Sequence, residues 1–280
     1  METITMEMLK FPGGAMPIIG FGTWPLTEAE AERHVGEALA LGYRHIDTAQ
    51  MYKNEAGVGR ALKASGLKRD EVFVTTKIEP TNYEPATFKA SLDASLEKLG
   101  LDRVDLLLLH WPNPRFSFER TMELLLGARE AGKARHVGVS NLDVIDIRRA
   151  HELAGGTLAT NQVEFHPLLD QAPLKKVCDE LGIPLTAYCP MARGAVPQTP
   201  QLVEIGRRHG RSAGQVAMRW IVQQGVAAIP MSRKRAHMAE NLAVLDFALS
   251  EAEMAEIATL TARNLRVVDL NWFAPSWRAA

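Results

Sequence analysis

Eight short apolar runs recur along the chain, at about 17–21, 43–47, 72–76, 104–109, 135–139, 159–163, 184–188 and 226–229. Most are apolar at every position rather than alternating, the pattern of strands buried on both faces of a parallel sheet. The stretches between them carry helical punctuation. Thr27-Glu28-Ala29-Glu30 and Ser250-Glu251-Ala252-Glu253 read as capping boxes, in which a hydroxyl and a carboxylate satisfy backbone N–H groups at a helix start. Pro85 and Pro173 suit first helical turns, and Gly100, Gly132 and Gly182 suit helix ends. The repeat is close to the roughly thirty residues of one βα unit. Eight units predict a closed (β/α)8 barrel, an α/β fold, as a single domain over residues 1–280. Two helices with no strand between them are expected at about 201–224. Ahead of the first barrel strand, 4–18 reads as a β-hairpin: Ile4 to Lys10, a turn at Pro12-Gly13-Gly14, then Ala15 to Ile18. Such a hairpin is placed to plug the barrel floor.

Composition narrows the partners. The 280 residues are 46% hydrophobic and 23% charged, with a formal net charge of −1. That suits a soluble globular protein and supplies no field to hold nucleic acid or an anionic membrane. Any anion site must be a local cluster. Two cysteines in different segments, Cys178 and Cys189, support neither a disulfide framework nor a Cys-rich metal site. The opening Met1-Glu2-Thr3-Ile4-Thr5-Met6-Glu7-Met8 lacks the basic start and apolar stretch of a signal peptide. No apolar run approaches the ~20 residues a membrane helix needs. A cytoplasmic protein is expected, and a monomer, since no long coiled or apolar interface is apparent. Gly20-Phe21-Gly22-Thr23-Trp24-Pro25 starts like the G-x-G-x-x-G dinucleotide fingerprint but ends in proline, which argues against a Rossmann fold.

The polar residues that break the apolar pattern fall at strand ends. Gly42-Tyr43-Arg44-His45-Ile46-Asp47, Glu71-Val72-Phe73-Val74-Thr75-Thr76-Lys77 and Val104-Asp105-Leu106-Leu107-Leu108-Leu109-His110 each close on a charged or titratable group. Tyr52 follows in the loop after Asp47. Barrels of this kind carry their active sites at the C-terminal strand edge. A phenol with a pKa near ~10 is a poor acid at neutral pH. An ammonium beside it is expected to lower that value, and a carboxylate to keep the ammonium charged. Asp47, Tyr52, Lys77 and His110 therefore suit reduction of a carbonyl: Tyr52 gives a proton to the developing oxyanion while His110 orients the C=O. Taken singly, each has an ordinary reading, with Tyr52 a surface aromatic and Lys77–Asp47 a rim ion pair. His45 is expected to pack between strand and helix. Ser232-Arg233-Lys234-Arg235 follows the last strand and opens a helix. Cations in a first turn oppose the helix dipole unless an anion sits there, so a phosphate site is expected.

These residues resemble the aldo-keto reductase family. The resemblance is carried by Gly20-Phe21-Gly22-Thr23-Trp24, by Gly42 to Ala49 with Tyr52, Asn54 and Glu55, and by Thr76-Lys77 and Leu109-His110-Trp111-Pro112. It continues through Gly138-Val139-Ser140-Asn141, Asn161-Gln162-Val163-Glu164, Ala187-Tyr188-Cys189-Pro190 and Ile229-Pro230-Met231-Ser232, and so spans the chain. It implies a catalytic tetrad of Asp47, Tyr52, Lys77 and His110, with Tyr52 the general acid. Histidine at 110, where the family's double-bond reductases have glutamate, implies carbonyl reduction. The implied cofactor bed places Ser140, Asn141 and Gln162 on the nicotinamide carboxamide and Tyr188 against the ring. Gly22, Thr23, Asp47, Cys189, Met191 and Arg193 join it, as do Ser232, Arg233, Arg235, His237, Glu240 and Asn241 at the phosphate end. The family's usual lysine and arginine for the adenosine 2′-phosphate are replaced here by Met231 and His237, with Arg233 or Arg235 able to compensate. NADPH is the expected cofactor, with NADH as the alternative and no metal. The family's C-terminal segment folds over the mouth. The tail at 264–280 is expected over or beside it, with Trp272, Phe273 and Trp277 joining Trp24, Met51, Trp111 and His110 around a small-molecule carbonyl substrate. The ending looks like that of bacterial 2,5-diketo-gluconate reductases.

Two rivals use the same residues. A metal-dependent barrel hydrolase would draw ligands from His45, Asp47, His110, Glu164 and His166. A non-catalytic nucleotide-sensing subunit on this fold would need no tuned acid.

Overall fold

The runs that are apolar throughout become the staves of a parallel barrel. The computed structural model describes residues 7–270. An antiparallel hairpin, β1 (Met8–Phe11) and β2 (Gly14–Pro17), precedes the barrel. Parallel strands then follow in chain order: β3 (Phe21–Gly22), β4 (His45–Asp47), β5 (Phe73–Ile78), β6 (Val104–Leu109), β7 (Ala134–Ser140), β8 (Asn161–Glu164), β9 (Leu185–Tyr188) and β10 (Ala227–Ala228). Each pairs with its neighbours in sequence. The seam between first and last is closed by Gly20 N–H to Ala228 O and Ala228 N–H to Ile18 O, both 2.8 Å, and Gly22 N–H to Pro230 O at 3.1 Å. The fold is a (β/α)8 barrel.

The helices are α1 (Glu28–Leu41), α2 (Glu55–Ala64), α3 (Pro85–Leu99), α4 (Phe118–Glu130), α5 (Val144–Leu153), α6 (Ala172–Leu181), α7 (Pro200–His209), α8 (Ala213–Val222), α9 (Arg235–Leu242) and α10 (Glu251–Ala258). The pair expected between β9 and β10 is α7 and α8. Both capping boxes form: Glu30 N–H donates to Thr27 Oγ1 at 3.3 Å and Thr27 N–H to Glu30 Oε2 at 2.9 Å, and Ser250–Glu253 does the same. Gly100 and Gly182 end α3 and α6 in the left-handed region, with φ of 67° and 70°. The core is continuous from barrel interior to helix layer, and every residue of β6 is buried.

Two expectations are corrected. The first strand, expected over 17–21, is divided: Pro17 closes the hairpin and the regular ladder is confined to Phe21–Gly22. The seam compresses the chain there, because a Cβ on Gly22 would lie 2.6 Å from Ile229 O. His45 does not pack between strand and helix. It lies two residues before Asp47 on the same face of β4. Its ring nitrogens stand 3.2 Å from Pro17 O and 3.2 Å from Thr75 Oγ1, so the imidazole caps the floor where the hairpin abuts the barrel. Burial lowers its pKa. Residues 4–6 of the expected hairpin, and Trp272, Phe273 and Trp277 of the tail, lie outside the described residues. Among the described residues no helix is long and apolar enough to cross a membrane.

Candidate active site

The strand assignment brings Asp47, Lys77 and His110 to the C-terminal edges of β4, β5 and β6, and a short 3-10 turn, Gln50–Tyr52, swings Tyr52 in beside them. That turn is pinned by Asn54. Its Nδ2 donates to Thr23 O and Leu26 O, both at 3.0 Å, and its Oδ1 accepts from Thr48 Oγ1 at 2.8 Å. The loops after β3 and β4 are thus stitched together before any side chain of the site is placed.

Lys77 is the hub. Its ammonium donates to Asp47 Oδ1 at 2.5 Å, to Thr48 O at 3.1 Å and to Tyr52 Oη at 3.2 Å. An ammonium has three N–H donors, so all of them are used. Asp47 Oδ2 in turn accepts from Gln162 Nε2 at 2.8 Å. Because Tyr52 accepts from Lys77, its own O–H is left to donate elsewhere. His110 Nε2 stands 3.5 Å from the phenolic oxygen. The Trp24 ring flanks Tyr52 with centroids 5.3 Å apart and is half exposed at the mouth.

Electrostatics differ in one respect from the sequence expectation. Burial, reinforced by Asp47, holds the Tyr52 phenol well above its usual value, rather than Lys77 lowering it. The physical reason is desolvation: a phenolate in this enclosed corner loses more hydration than one ammonium returns. Burial also lowers Lys77, against the attraction of Asp47. His110 is driven well below its ordinary range by burial and then by Lys77. At neutral pH the site therefore holds a protonated phenol beside a neutral imidazole.

On the opposite strands a ladder of amides and hydroxyls faces the tetrad. Ser140 Oγ donates to Gln162 O at 2.7 Å. Asn141 Nδ2 donates to Ser140 Oγ and to His110 O, both at 3.0 Å, while its Oδ1 accepts from Tyr188 Oη at 2.7 Å. Asn141 adopts φ 62° to do this. The Tyr188 ring is consequently held in orientation beside amide and hydroxyl groups whose hydrogens are engaged with one another. Gln162, expected on the nicotinamide carboxamide, donates its Nε2 to Asp47 Oδ2.

With this geometry in hand, the comparisons decide the family. The model of the aldo/keto reductase family matches residues 18–262. The chain belongs to the aldo-keto reductases. It is 40% identical over 266 residues to the methylglyoxal reductase DkgB of Yersinia pestis, covering 94% of this chain and 99% of that one. A crystal structure provisionally assigned as a 2,5-diketo-D-gluconic acid reductase B superposes with a TM-score of 0.96 at 45% identity, over 99% of both chains. The Bombyx mori aldo-keto reductase in complex with NADP superposes at 0.90 with 31% identity, over 97% of this chain and 98% of that one. The protein is therefore an NAD(P)H-dependent oxidoreductase acting in carbonyl reduction.

The remaining predicted positions of this aldo-keto reductase fall into place unevenly. Thr23 is buried, with its Oγ1 donating to Asp47 O at 3.0 Å. Gly22 is required by the approach of Ile229 O, which accounts for the glycine by packing alone. Met51 is half-buried and Trp111 is buried, its carbonyl accepting from Tyr83 Oη at 2.8 Å. Cys189 is half-buried at φ 50°, and burial pushes its thiol up to about 11. Met191 is half-buried beside Gly214, and Arg193 is exposed near Cys189.

At the expected phosphate end both arginines are engaged within the protein. Arg233 Nε donates to Glu30 Oε1 at 2.8 Å and its Nη2 to Pro25 O at 3.3 Å. Arg235 Nη1 reaches Glu37 O at 3.5 Å. Ser232 Oγ accepts from Lys234 N–H at 3.0 Å, while His237 and Glu240 are exposed and Asn241 is buried in α9. The residues of the hydrolase rival do not converge: among the described residues no three His, Cys, Asp or Glu are grouped to hold a metal. Sequence reasoning missed three contacts, Gln162 on Asp47, Glu30 on Arg233, and Glu164 on the backbone of Val267 and Val268 in the C-terminal strap of residues 265–268. The Asn54-Glu55 motif was a usable signal for the loop stitching; the long-range pairs had none.

Proposed function

We propose that this aldo-keto reductase uses NADPH to reduce aldehydes, small dicarbonyls or keto-sugars to alcohols, with Tyr52 as the general acid. The observation that carries the reading is the saturation of Lys77. All three of its donors are occupied, one by Tyr52 Oη, so the phenol can only donate outward, towards the space it shares with His110 Nε2. A carbonyl oxygen placed there meets the phenolic O–H and the imidazole together.

The nicotinamide cofactor supplies the hydride to the carbonyl carbon. Tyr52 transfers its proton to the oxygen as the C=O bond becomes C–O. The phenolate left behind is stabilised by Lys77, whose charge Asp47 anchors, and is reprotonated from solvent. Asp47 is itself held by Gln162, so the chain Gln162–Asp47–Lys77–Tyr52 keeps the acid in one position. Ser140, Asn141 and Tyr188 would receive the nicotinamide end, and Ser232, Arg233, Arg235 and His237 the phosphate end. Small dicarbonyls suit the site because a second carbonyl makes the first more electrophilic, and the two reductases named above act, by their names, on such compounds.

NADH is the second reading for the cofactor, favoured by Met231 carrying no charge and by Arg233 being held by Glu30. A panel of aldehydes, methylglyoxal and diketo-acids, assayed by oxidation of NADPH and NADH in parallel with chelator present, tests both. Turnover with NADPH is expected to exceed that with NADH. No carbonyl-dependent oxidation of either would remove the reading.

A further inference from the structure

Glu164 ends β8, two residues beyond Gln162, and is fully buried. A carboxylate removed from water is tolerated only with hydrogen bonds or counter-charge around it. Those of Glu164 come from outside the catalytic group. Its Oε1 accepts from the Val267 N–H at 2.7 Å and its Oε2 from the Val268 N–H at 2.9 Å. His166 Nε2 lies 2.9 Å from Oε1. The Leu168 N–H donates to His166 Nδ1 at 3.3 Å, which leaves Nε2–H to donate to the carboxylate in the neutral ring. Leu265 N–H donates to Leu168 O at 2.7 Å, and the partly buried Arg266 is attracted to Glu164. Two successive backbone N–H groups on the two oxygens of one carboxylate tie the strap to the end of β8 at this point of the chain.

The clasp stands at the mouth. Glu164 is the ladder partner of Tyr188 across β8 and β9, and Arg266 also acts electrostatically on Tyr188. We propose that Glu164 is a positioning residue for substrate selection: it holds the strap at Val267–Val268 and so builds the mouth's wall beside Tyr188. The proposal rests on the carbonyl-reductase reading.

The test uses the full enzyme, Glu164→Gln, Val267→Pro, a chain ending at Asn264, and that shortened chain with Glu164→Gln. A carboxamide presents one acceptor and opposes an N–H donor to the other strap amide. Amide exchange at Val267 and Val268 should accelerate at least roughly tenfold in Glu164→Gln, with barrel amides unchanged. The KM for a keto-sugar should rise about three- to tenfold, with kcat for a small aldehyde and NADPH affinity held within about twofold. Val267→Pro removes a donor while leaving the Glu164 carboxylate in place and should reproduce the KM shift, which keeps the test alive if Glu164→Gln fails to fold. In the shortened chain, Glu164→Gln should add nothing. Unchanged exchange, or an equal KM shift with and without the strap, would overturn the clasp. If no carbonyl is turned over by the parent enzyme, the functional reading fails while the exchange data still decide whether Glu164 holds the strap.

Discussion

At the scale of single residues, the site depends on which donor each polar atom already has. Tyr52 accepts from Lys77, so its proton is available outward. Tyr52→Phe keeps the ring packed against Trp24 and removes the hydroxyl, both the proton and the oxygen that accepts from Lys77; turnover should fall by roughly 10²–10⁴. NADPH affinity, read by fluorescence quenching, should stay within about twofold, and near-normal turnover would take Tyr52 out of its role. The pKa directions give a second expectation. Tyr52, raised by burial, stays protonated through neutral pH, and the active form is lost only as pH rises through its elevated pKa. His110, depressed by burial, stays neutral until pH falls well below its ordinary range. A profile of kcat/KM for reduction should thus be flat between about pH 7 and 9 and decline only above about 10. An inflection near neutrality that disappears in His110→Gln would contradict this. The tetrad was legible from sequence because strand ends place Asp47, Lys77 and His110 on one rim. The direction of the Tyr52 shift was not, since desolvation belongs to the folded pocket.

At the scale of elements, the start of α1 and the turn before α9 answer each other. Glu30 completes the α1 capping box and also pairs with Arg233, 203 residues away, while Arg233 bonds Pro25 O in the loop that carries Trp24. The Arg233 guanidinium and its own capping partner hold the Glu30 carboxyl down at about 2, so the pair is charged throughout the working range. On the proposed reading, a 2′-phosphate at this turn would compete with Glu30 for Arg233. Glu30→Gln is therefore expected to tighten NADPH a few-fold relative to NADH, read as the ratio of the two dissociation constants; an unchanged ratio would show that Arg233 has no part in cofactor choice. The basic turn could be read from Ser232-Arg233-Lys234-Arg235, because three cations at a helix start are conspicuous. Its internal counter-ion could not, because nothing local in Thr27-Glu28-Ala29-Glu30 signals more than a cap. Strands show the same division. β6 was legible from its uninterrupted apolar run, whereas β3 shrank to Phe21–Gly22 because its hydrogen bonding is set by β10 at the seam.

At the scale of the molecule, barrel closure joins residues from opposite ends of the chain. Gly22 sits where β3 meets the end of β10, and a Cβ there would lie 2.6 Å from the Ile229 carbonyl oxygen. Gly22→Ala should cost about 1–3 kcal/mol through this overpacking, measured by urea unfolding, against the gain alanine usually brings over glycine. An equally stable variant would mean that the seam yields without strain. The sequence by itself determined the eight βα units, the capping boxes and the placing of Asp47, Lys77 and His110 at strand ends, because hydrophobic period and helix-end chemistry are local and each unit repeats the same rule. Only the tertiary structure decided how Gln162 steadies Asp47, how Glu30 holds Arg233 and how Glu164 clasps Val267 and Val268. Those pairs join residues more than a hundred positions apart in the chain, and their energies depend on burial and distance that no local window of sequence contains.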